Sequence, residues 1–214
     1  MTFDNFKKLV PKIQKMSIPG VVAQQDMAPA IRLEQKSELE LNKKNPRHAA
    51  VMLLCYPKGD EVYVALIQRP TYEGVHSDQV ALPGGKVELG DASYEAAALR
   101  ETFEEVGVSP VGINVLRAMT KTYVPPSNFW VHPFLGYADT TPVFVAQEEE
   151  VAAIIEVSLE NLLADQNVFH DILTTSYAKD IEVPAFRLNG YRVWGATAMM
   201  LNELKVFLKA IMQS

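Results

Sequence analysis

Apolar positions along this chain fall into two rhythms. His48–Tyr56 (HAAVMLLCY) and Val62–Gln68 (VYVALIQ) are near-continuous apolar runs. Runs of that length, bounded by turn residues, predict buried strands. Pro57-Lys58-Gly59-Asp60 lies between them, so the pair predicts a hairpin, and Arg69-Pro70 ends it because proline withdraws a ladder donor. Further strands are expected at Gln79–Leu82, within Val111–Tyr123, at Phe129–Tyr137 and at Val151–Val157. The dipeptide Asn189-Gly190 marks a hairpin over Phe186–Trp194. Helical spacing appears in Phe3, Phe6, Leu9 and Val10, with Pro11 as a boundary, and in a short helix near Leu159–Leu163. It returns over Ser93–Val106, where Ala96, Leu99, Phe103 and Val106 form an apolar stripe. It closes the chain over Gly195–Met212, with Met199, Leu204, Phe207, Leu208 and Ile211. Asp165–Asp180 gives no clear signal. This order suits α/β architecture, a mixed sheet covered by helices, in one domain. Residues 1–45 read as a polar amino-terminal helical extension and 46–214 as the core.

Composition narrows the function classes. The chain has 214 residues, 48% apolar and 21% charged, with a net charge of −6. That balance disfavours duplex nucleic acid, whose binding needs phosphate neutralisation by Lys and Arg, yet allows a local basic pocket for a small polyphosphate. Cys55 is the single cysteine, so no intrachain disulfide forms, and its apolar surroundings predict a buried thiol. The first residues lack a signal peptide's apolar core, and no stretch approaches the roughly 20 apolar residues of a membrane span. A cytoplasmic protein with no membrane partner is expected. Oligomeric state is open, a homodimer included.

The chemistry concentrates in Leu82–Val108, LPGGKVELGDASYEAAALRETFEEVGV. Paired glycines permit a tight turn and close ligand approach. On a helix, Glu101, Glu104 and Glu105 lie three and four apart, so they can share one side, where their repulsion calls for a cation. Hard cations take oxygen ligands and are commonly held jointly by carboxylates and substrate phosphates. Asp91 or Ser93 suits the helix cap, and Gly107 suits the left-handed position past its end.

This stretch resembles a Nudix box, G-x5-E-x7-R-E-U-x-E-E-x-G-U with U a bulky apolar residue. Gly85, Arg100, Glu101, Glu104, Glu105, Gly107 and Val108 match. Two departures stand out: the acidic residue is Asp91, eight residues rather than seven before Arg100, and Thr102 replaces an apolar residue. The resemblance implies an α/β/α sandwich with a mixed sheet. It also implies Mg²⁺ or Mn²⁺ held by Glu101, Glu104, Glu105 and the Gly85 carbonyl, with Arg100 orienting the carboxylates. Asp91 then reads as a helix cap. A further glutamate outside the box, Glu150 or Glu148, is implied as ligand or general base; a solvated charge run is its other reading.

Arg69, His76, Gln79, Val80 and Leu82–Gly85 resemble the segment that precedes the box in coenzyme A pyrophosphatases, with Asp78 where glycine is usual. The longer spacing from Asp91 to Arg100 resembles that branch too. What this implies is cleavage of the diphosphate in coenzyme A or its thioesters. Arg69 has two readings, a phosphate ligand or a rim ion pair. His76 reads as loop-ordering or catalytic. Gln79 and Lys86 join the substrate-binding candidates, with Ser127 and Asn128 at the tip of Val124-Pro125-Pro126-Ser127-Asn128. Trp194-Gly195-Ala196-Thr197-Ala198 resembles the branch's closing motif and reads as packing. The alternatives are a Nudix hydrolase of ADP-ribose or another nucleoside diphosphate derivative, and a non-catalytic Nudix ligand-binding module.

Overall fold

The structure, a computed structural model, describes residues 1–29, 37–71, 77–174 and 179–213. Strands β1 (Arg47–Lys58) and β2 (Glu61–Gln68) form the expected hairpin, closing at Lys58 opposite Glu61. Along β1, Val51, Leu53 and Cys55 enter one apolar cluster while Ala50, Met52, Leu54 and Tyr56 enter another. Both faces are covered, which is why the strand reads as continuous apolar sequence rather than as alternation. Burial pushes the Cys55 thiol up to about 12, so it stays protonated and inert.

The short strands β3 (Val80–Ala81) and β4 (Gly84–Lys86) pair with β2 and β1. Gly84 and Gly85 were expected to turn; they continue as strand. Their need for glycine is proximity, since a side chain at Gly84 would strike the Ala50 carbonyl and the Val51 backbone. Strands β5 (Ile113–Ala118) and β6 (Thr122–Val124) pair antiparallel with β7 (Phe129–Ala138), which runs parallel to β1. With β8 (Ala153–Ser158) on β2, these make one mixed eight-stranded sheet among the described residues.

Helix α1 (Phe3–Lys15) buries Phe6 and Ile13 fully, so it is part of the core rather than a free arm. Pro11 lies inside it instead of ending it, on the exposed side, where a missing donor costs least. Short helices α2 (Val21–Gln25) and α3 (Glu38–Asn42) follow, the latter opened by a reciprocal Ser37–Glu40 capping box. Helix α4 (Tyr94–Val106) covers the Ala50–Tyr56 face of the sheet. Ser93 caps it by accepting from the Ala96 N–H, and Gly107 ends it at φ 74°.

The stripe expected on α4 is rotated. Its buried residues are Ala97, Ala98, Glu101, Thr102, Glu105 and Val106, and Phe103 is 51% exposed. Two alanines let the helix approach β1 closely, and this turns the glutamates inward. Thr102 tolerates full burial because its hydroxyl donates to the Ala98 carbonyl at 2.6 Å.

After α5 (Leu159–Leu163), strands β9 (Val168–Leu173), β10 (Ile181–Leu188) and β11 (Tyr191–Trp194) form a second, antiparallel sheet. Strand β9 had no sequence signal: it is an edge strand, mostly half-exposed, without clean alternation. Helix α6 (Gly195–Gln213) follows β11 directly and packs with α1 on the Leu53–Cys55 face, completing the sandwich. Among the described residues no helix is long and apolar enough to cross a membrane.

Candidate active site

The first turns of α4 are fixed by one guanidinium. Arg100 grips Asp91 with two bonds, Nε to Oδ1 and Nη2 to Oδ2, both 2.9 Å. Its Nη2 also donates to the Lys86 carbonyl at 3.1 Å, tying the helix to β4. Its Nη1 bridges Glu101 at 3.0 Å and Glu104 at 2.8 Å. The Arg100 guanidinium, helped by the Glu88 N–H, holds the Asp91 carboxyl down to about 2. Asp91 is therefore a partner of Arg100, not the cap; one extra residue in the loop still lets its carboxylate reach back nine positions.

Glu101 and Glu105 sit one helical turn apart on the inner face. Glu105 is 1% exposed and accepts the Gly84 N–H at 2.7 Å. Burial pushes its carboxyl up to about 8, opposed by that N–H and by the Arg69 charge. Burial also raises Glu101, against the pull of Arg100. Gly85 leaves the room that the Glu101 carboxylate occupies, since a side chain there would collide with it. Glu104 points outward, its side chain 53% exposed, and meets Glu101 only through Arg100. Among the described residues no three acidic or imidazole groups are gathered closely enough to hold one ion. The structure thus unites Glu101 with Glu105 and gives Arg100 the place between Glu101 and Glu104.

Glu150 stands on a loop strapped to the end of α4 by the Gln147 N–H to Glu105 carbonyl bond of 3.0 Å. Its side chain is exposed, and its charge raises both Glu101 and Glu105. Glu148 is also exposed.

A cleft of about 590 Å³ opens beside β4. Arg69, Gln79, Gly85, Lys86 and Ser127 line it. The Arg69 Nε is buried with no partner, and the residue makes no ion pair among the described residues, so a rim ion pair is not what it forms here. Asn128 was expected beside Ser127; it turns away instead. At φ 53° its amide oxygen accepts the Tyr123 hydroxyl at 2.8 Å and its nitrogen donates to the Lys44 carbonyl at 3.0 Å, locking the turn. His76 lies outside the described residues.

One wall was missed. Trp194, Gly195, Ala196 and Thr197 line the cleft, although they read as packing in the sequence. Trp194 is only half-buried. The available signal was a tryptophan at a strand end, followed by a glycine (φ 65°) that opens a helix.

Known proteins resemble this chain in sequence and in fold. The model of the NUDIX domain matches residues 46–176. The uncharacterized Nudix hydrolase NudL of Enterobacter sp. (strain 638) is 34% identical over 164 residues, 75% of this chain and 82% of that protein. NudL of Salmonella newport (strain SL254) is similar to the same extent, 34% over 164 residues. Among solved structures, a Nudix hydrolase from M. smegmatis, RenU, superposes with a TM-score of 0.54 at 17% identity, covering 78% of this chain and 88% of that one. A C. elegans Ap4A hydrolase superposes with 0.52 at 14%, covering 77% and 98%. Those two speak for the fold alone. The sequence matches carry more, and on them the chain belongs to the Nudix hydrolases.

Proposed function

We propose that this Nudix hydrolase cleaves the diphosphate of coenzyme A or its thioesters, giving 4′-phosphopantetheine and adenosine 3′,5′-bisphosphate. The observation that carries the hydrolytic part is a pair of opposite deficits meeting at β4: Arg69, Gly84 and Gly85 line the cleft, while Glu105 accepts from Gly84 and the Glu101 carboxylate lies against Gly85. Glu101 and Glu105 are buried carboxylates short of positive charge, and Arg69 presents a buried N–H short of an acceptor. A diphosphate bound with a hard cation satisfies both. The coenzyme A part rests on Arg69, Gln79 and the lengthened box spacing.

Nudix hydrolases generally need divalent metal ions. The donor set fits one: oxygen-only, and raised in pKa by burial with a neighbouring carboxylate adding to it. Glu101 and Glu105 would hold Mg²⁺ or Mn²⁺, with the Gly85 carbonyl beside them and Glu104 joining once released by Arg100. When bound, such an ion supplies charge neutralisation and acidifies water. The chain's residues do the rest. Arg69 fixes a phosphoryl oxygen through its planar fork. Lys86 adds a second positive charge to the same side of the cleft. The Gly84 N–H keeps one Glu105 oxygen in place, leaving the other for the reacting centre. Glu150, an exposed carboxylate on the loop strapped to α4, takes the proton from the attacking water.

The test is a turnover panel in Mg²⁺ and in Mn²⁺ with coenzyme A, acetyl-coenzyme A, ADP-ribose and nucleoside triphosphates. The expected result is the highest kcat/KM on coenzyme A or its thioester. Preference for ADP-ribose would move the assignment to the nucleoside diphosphate derivatives. Binding with no turnover on any member would mark a non-catalytic module.

A further inference from the structure

The cleft is larger than a diphosphate needs; its roughly 590 Å³ falls in the range that encloses a whole drug-sized ligand. Its chemistry also differs between the elements that line it. Arg69 and Lys86 stand on the side of β3 and β4. Strands β10 and β11, the latter packed against β3, and helix α6 contribute Ile181, Trp194, Ala196 and Met200. No charged side chain from residues 179–213 lines the cleft among the described residues. An anionic group placed there would lose its hydration and gain no counter-charge, which is costly. The nucleotide half of the substrate, with its extra phosphate, is disfavoured along that wall on these grounds.

The wall is also firmly built. Val193 and Ala198 are fully buried on either side of Trp194 and Ala196. Trp194 and Ala196 themselves are half-buried, so what they leave uncovered faces the cleft. Helix α6 is tied down from behind by Asn202, which donates to the Ala23 carbonyl at 2.7 Å. All of these residues lie beyond the matched Nudix region, 46–176. The shared machinery and this wall are therefore separate parts of one site.

We infer that Trp194, Ala196 and Met200 form a subsite for the uncharged, largely aliphatic arm attached to the diphosphate, and that this wall sets substrate preference. The inference rests on the coenzyme A reading and deepens it. Ser127 and Thr197 are hydroxyl residues lining the same cleft, suited to the amides such an arm carries.

The kinetic test compares coenzyme A with adenosine 3′-phosphate 5′-(methyl diphosphate), which keeps nucleotide and diphosphate but lacks the arm. Ala196→Leu adds bulk to the wall at a helical position that leucine suits. It is expected to lower kcat/KM on coenzyme A about tenfold and to leave the methyl ester within about twofold. Equal loss on both, or none on coenzyme A, overturns the subsite. A second measurement needs neither turnover nor a variant: an NMR titration of the wild type with pantetheine. The Trp194 indole resonance is expected to move while that of Trp130, buried and bonded to Asn42, stays put. No movement of Trp194, or equal movement of both, overturns the inference. If Ala196→Leu does not fold, this titration alone decides. Failure of the wild type to hydrolyse coenzyme A would overturn the substrate reading, and is seen separately.

Discussion

Two buried glutamates face opposite fates in this molecule. Glu203, on α6, is fully buried and ringed by donors. It accepts from the Gly20 N–H at 3.2 Å, Gln24 Nε2 at 3.0 Å, the Thr120 N–H at 3.2 Å and the Thr120 hydroxyl at 2.5 Å. Glu105, on α4, is nearly as buried but accepts one N–H, and it shares its surroundings with the charges of Glu101 and Glu150. A buried carboxylate costs heavily unless its oxygens are satisfied. Glu203 is satisfied from within the chain, and it pins the amino-terminal segment and the β5–β6 loop to the last helix. Glu105 is complete only when something arrives from outside. Burial alone does not separate a structural acid from a functional one; the number of donors supplied by the fold does.

The sharpest way to break this comparison is to neutralise each acid without changing its shape. Glu105→Gln is expected to cut turnover by about 10³-fold or more, roughly 4 kcal/mol of barrier. Thermal unfolding of this variant should occur at the wild-type temperature or above it. The gain in stability should also grow with pH. The Glu105 carboxyl titrates near 8 when folded, above its unfolded value, so the wild type loses stability as pH rises through that range. Glutamine has no such loss. Glu203→Gln should do the reverse. Its amide nitrogen turns a donor toward donors, which costs about 2–3 kcal/mol of stability. That lowers the melting temperature by roughly 5–10 °C, with turnover of the folded fraction within about tenfold. Were Glu203→Gln to abolish turnover at unchanged stability, donor count would not be the distinction.

The same contrast explains what the sequence disclosed. The hairpin of β1 and β2, the caps Ser93 and Gly107 and the turn at Asn189-Gly190 depend on neighbouring residues, so local pattern exposes them. The box was visible for the same reason, since Arg100, Glu101, Glu104 and Glu105 are adjacent. The inner face of α4 was misjudged because an apolar stripe presumes an apolar interior, and this helix buries Glu101 and Glu105. The pairing of Asp91 with Arg100 was hidden by a competing local role as a cap. Glu203 and Trp194 were illegible because their meaning lies in residues far away in sequence. The donors of Glu203 are 83 to 183 positions distant, and the cleft facing Trp194 is walled by residues from 29 to 200.

Arg69 is the cationic counterpart of Glu105, a buried donor left open by the fold. Arg69→Lys keeps the charge and removes the fork. If the open Nε is meant for a phosphoryl oxygen, kcat/KM should fall about 10- to 100-fold, or roughly 1.4–2.7 kcal/mol. The loss should fall on all diphosphates alike, in contrast to the arm-selective loss expected at Ala196. A change within twofold would leave Arg69 a bystander and weaken the idea that unmet bonding marks the site.

His132 extends the comparison to a half-buried base. It lies on β7, stacked on Tyr94 with ring centres 3.8 Å apart and planes 14° apart, and its Nε2 is 3.0 Å from His48 Nδ1. Burial, with the charges of His48 and Lys121, pushes its imidazole down to about 4. The ordinary value is near 6.5, so the unfolded chain takes up this proton first. The stability that the neutral ring contributes is whole above pH 6.5 and is lost as pH falls toward 4. The size is on the order of 1–3 kcal/mol. In a Glu105→Gln background, which removes the opposing carboxyl titration, urea unfolding should therefore show the protein weaker at pH 5 than at pH 7. His132→Phe preserves a ring against Tyr94 and should flatten that difference. Left in place, Glu105 would oppose the effect, because its raised carboxyl loses stability as pH rises from its unfolded value toward 8. An unchanged pH slope in His132→Phe would mean the ring is solvated after all, and that one histidine partner satisfies it as fully as four donors satisfy Glu203.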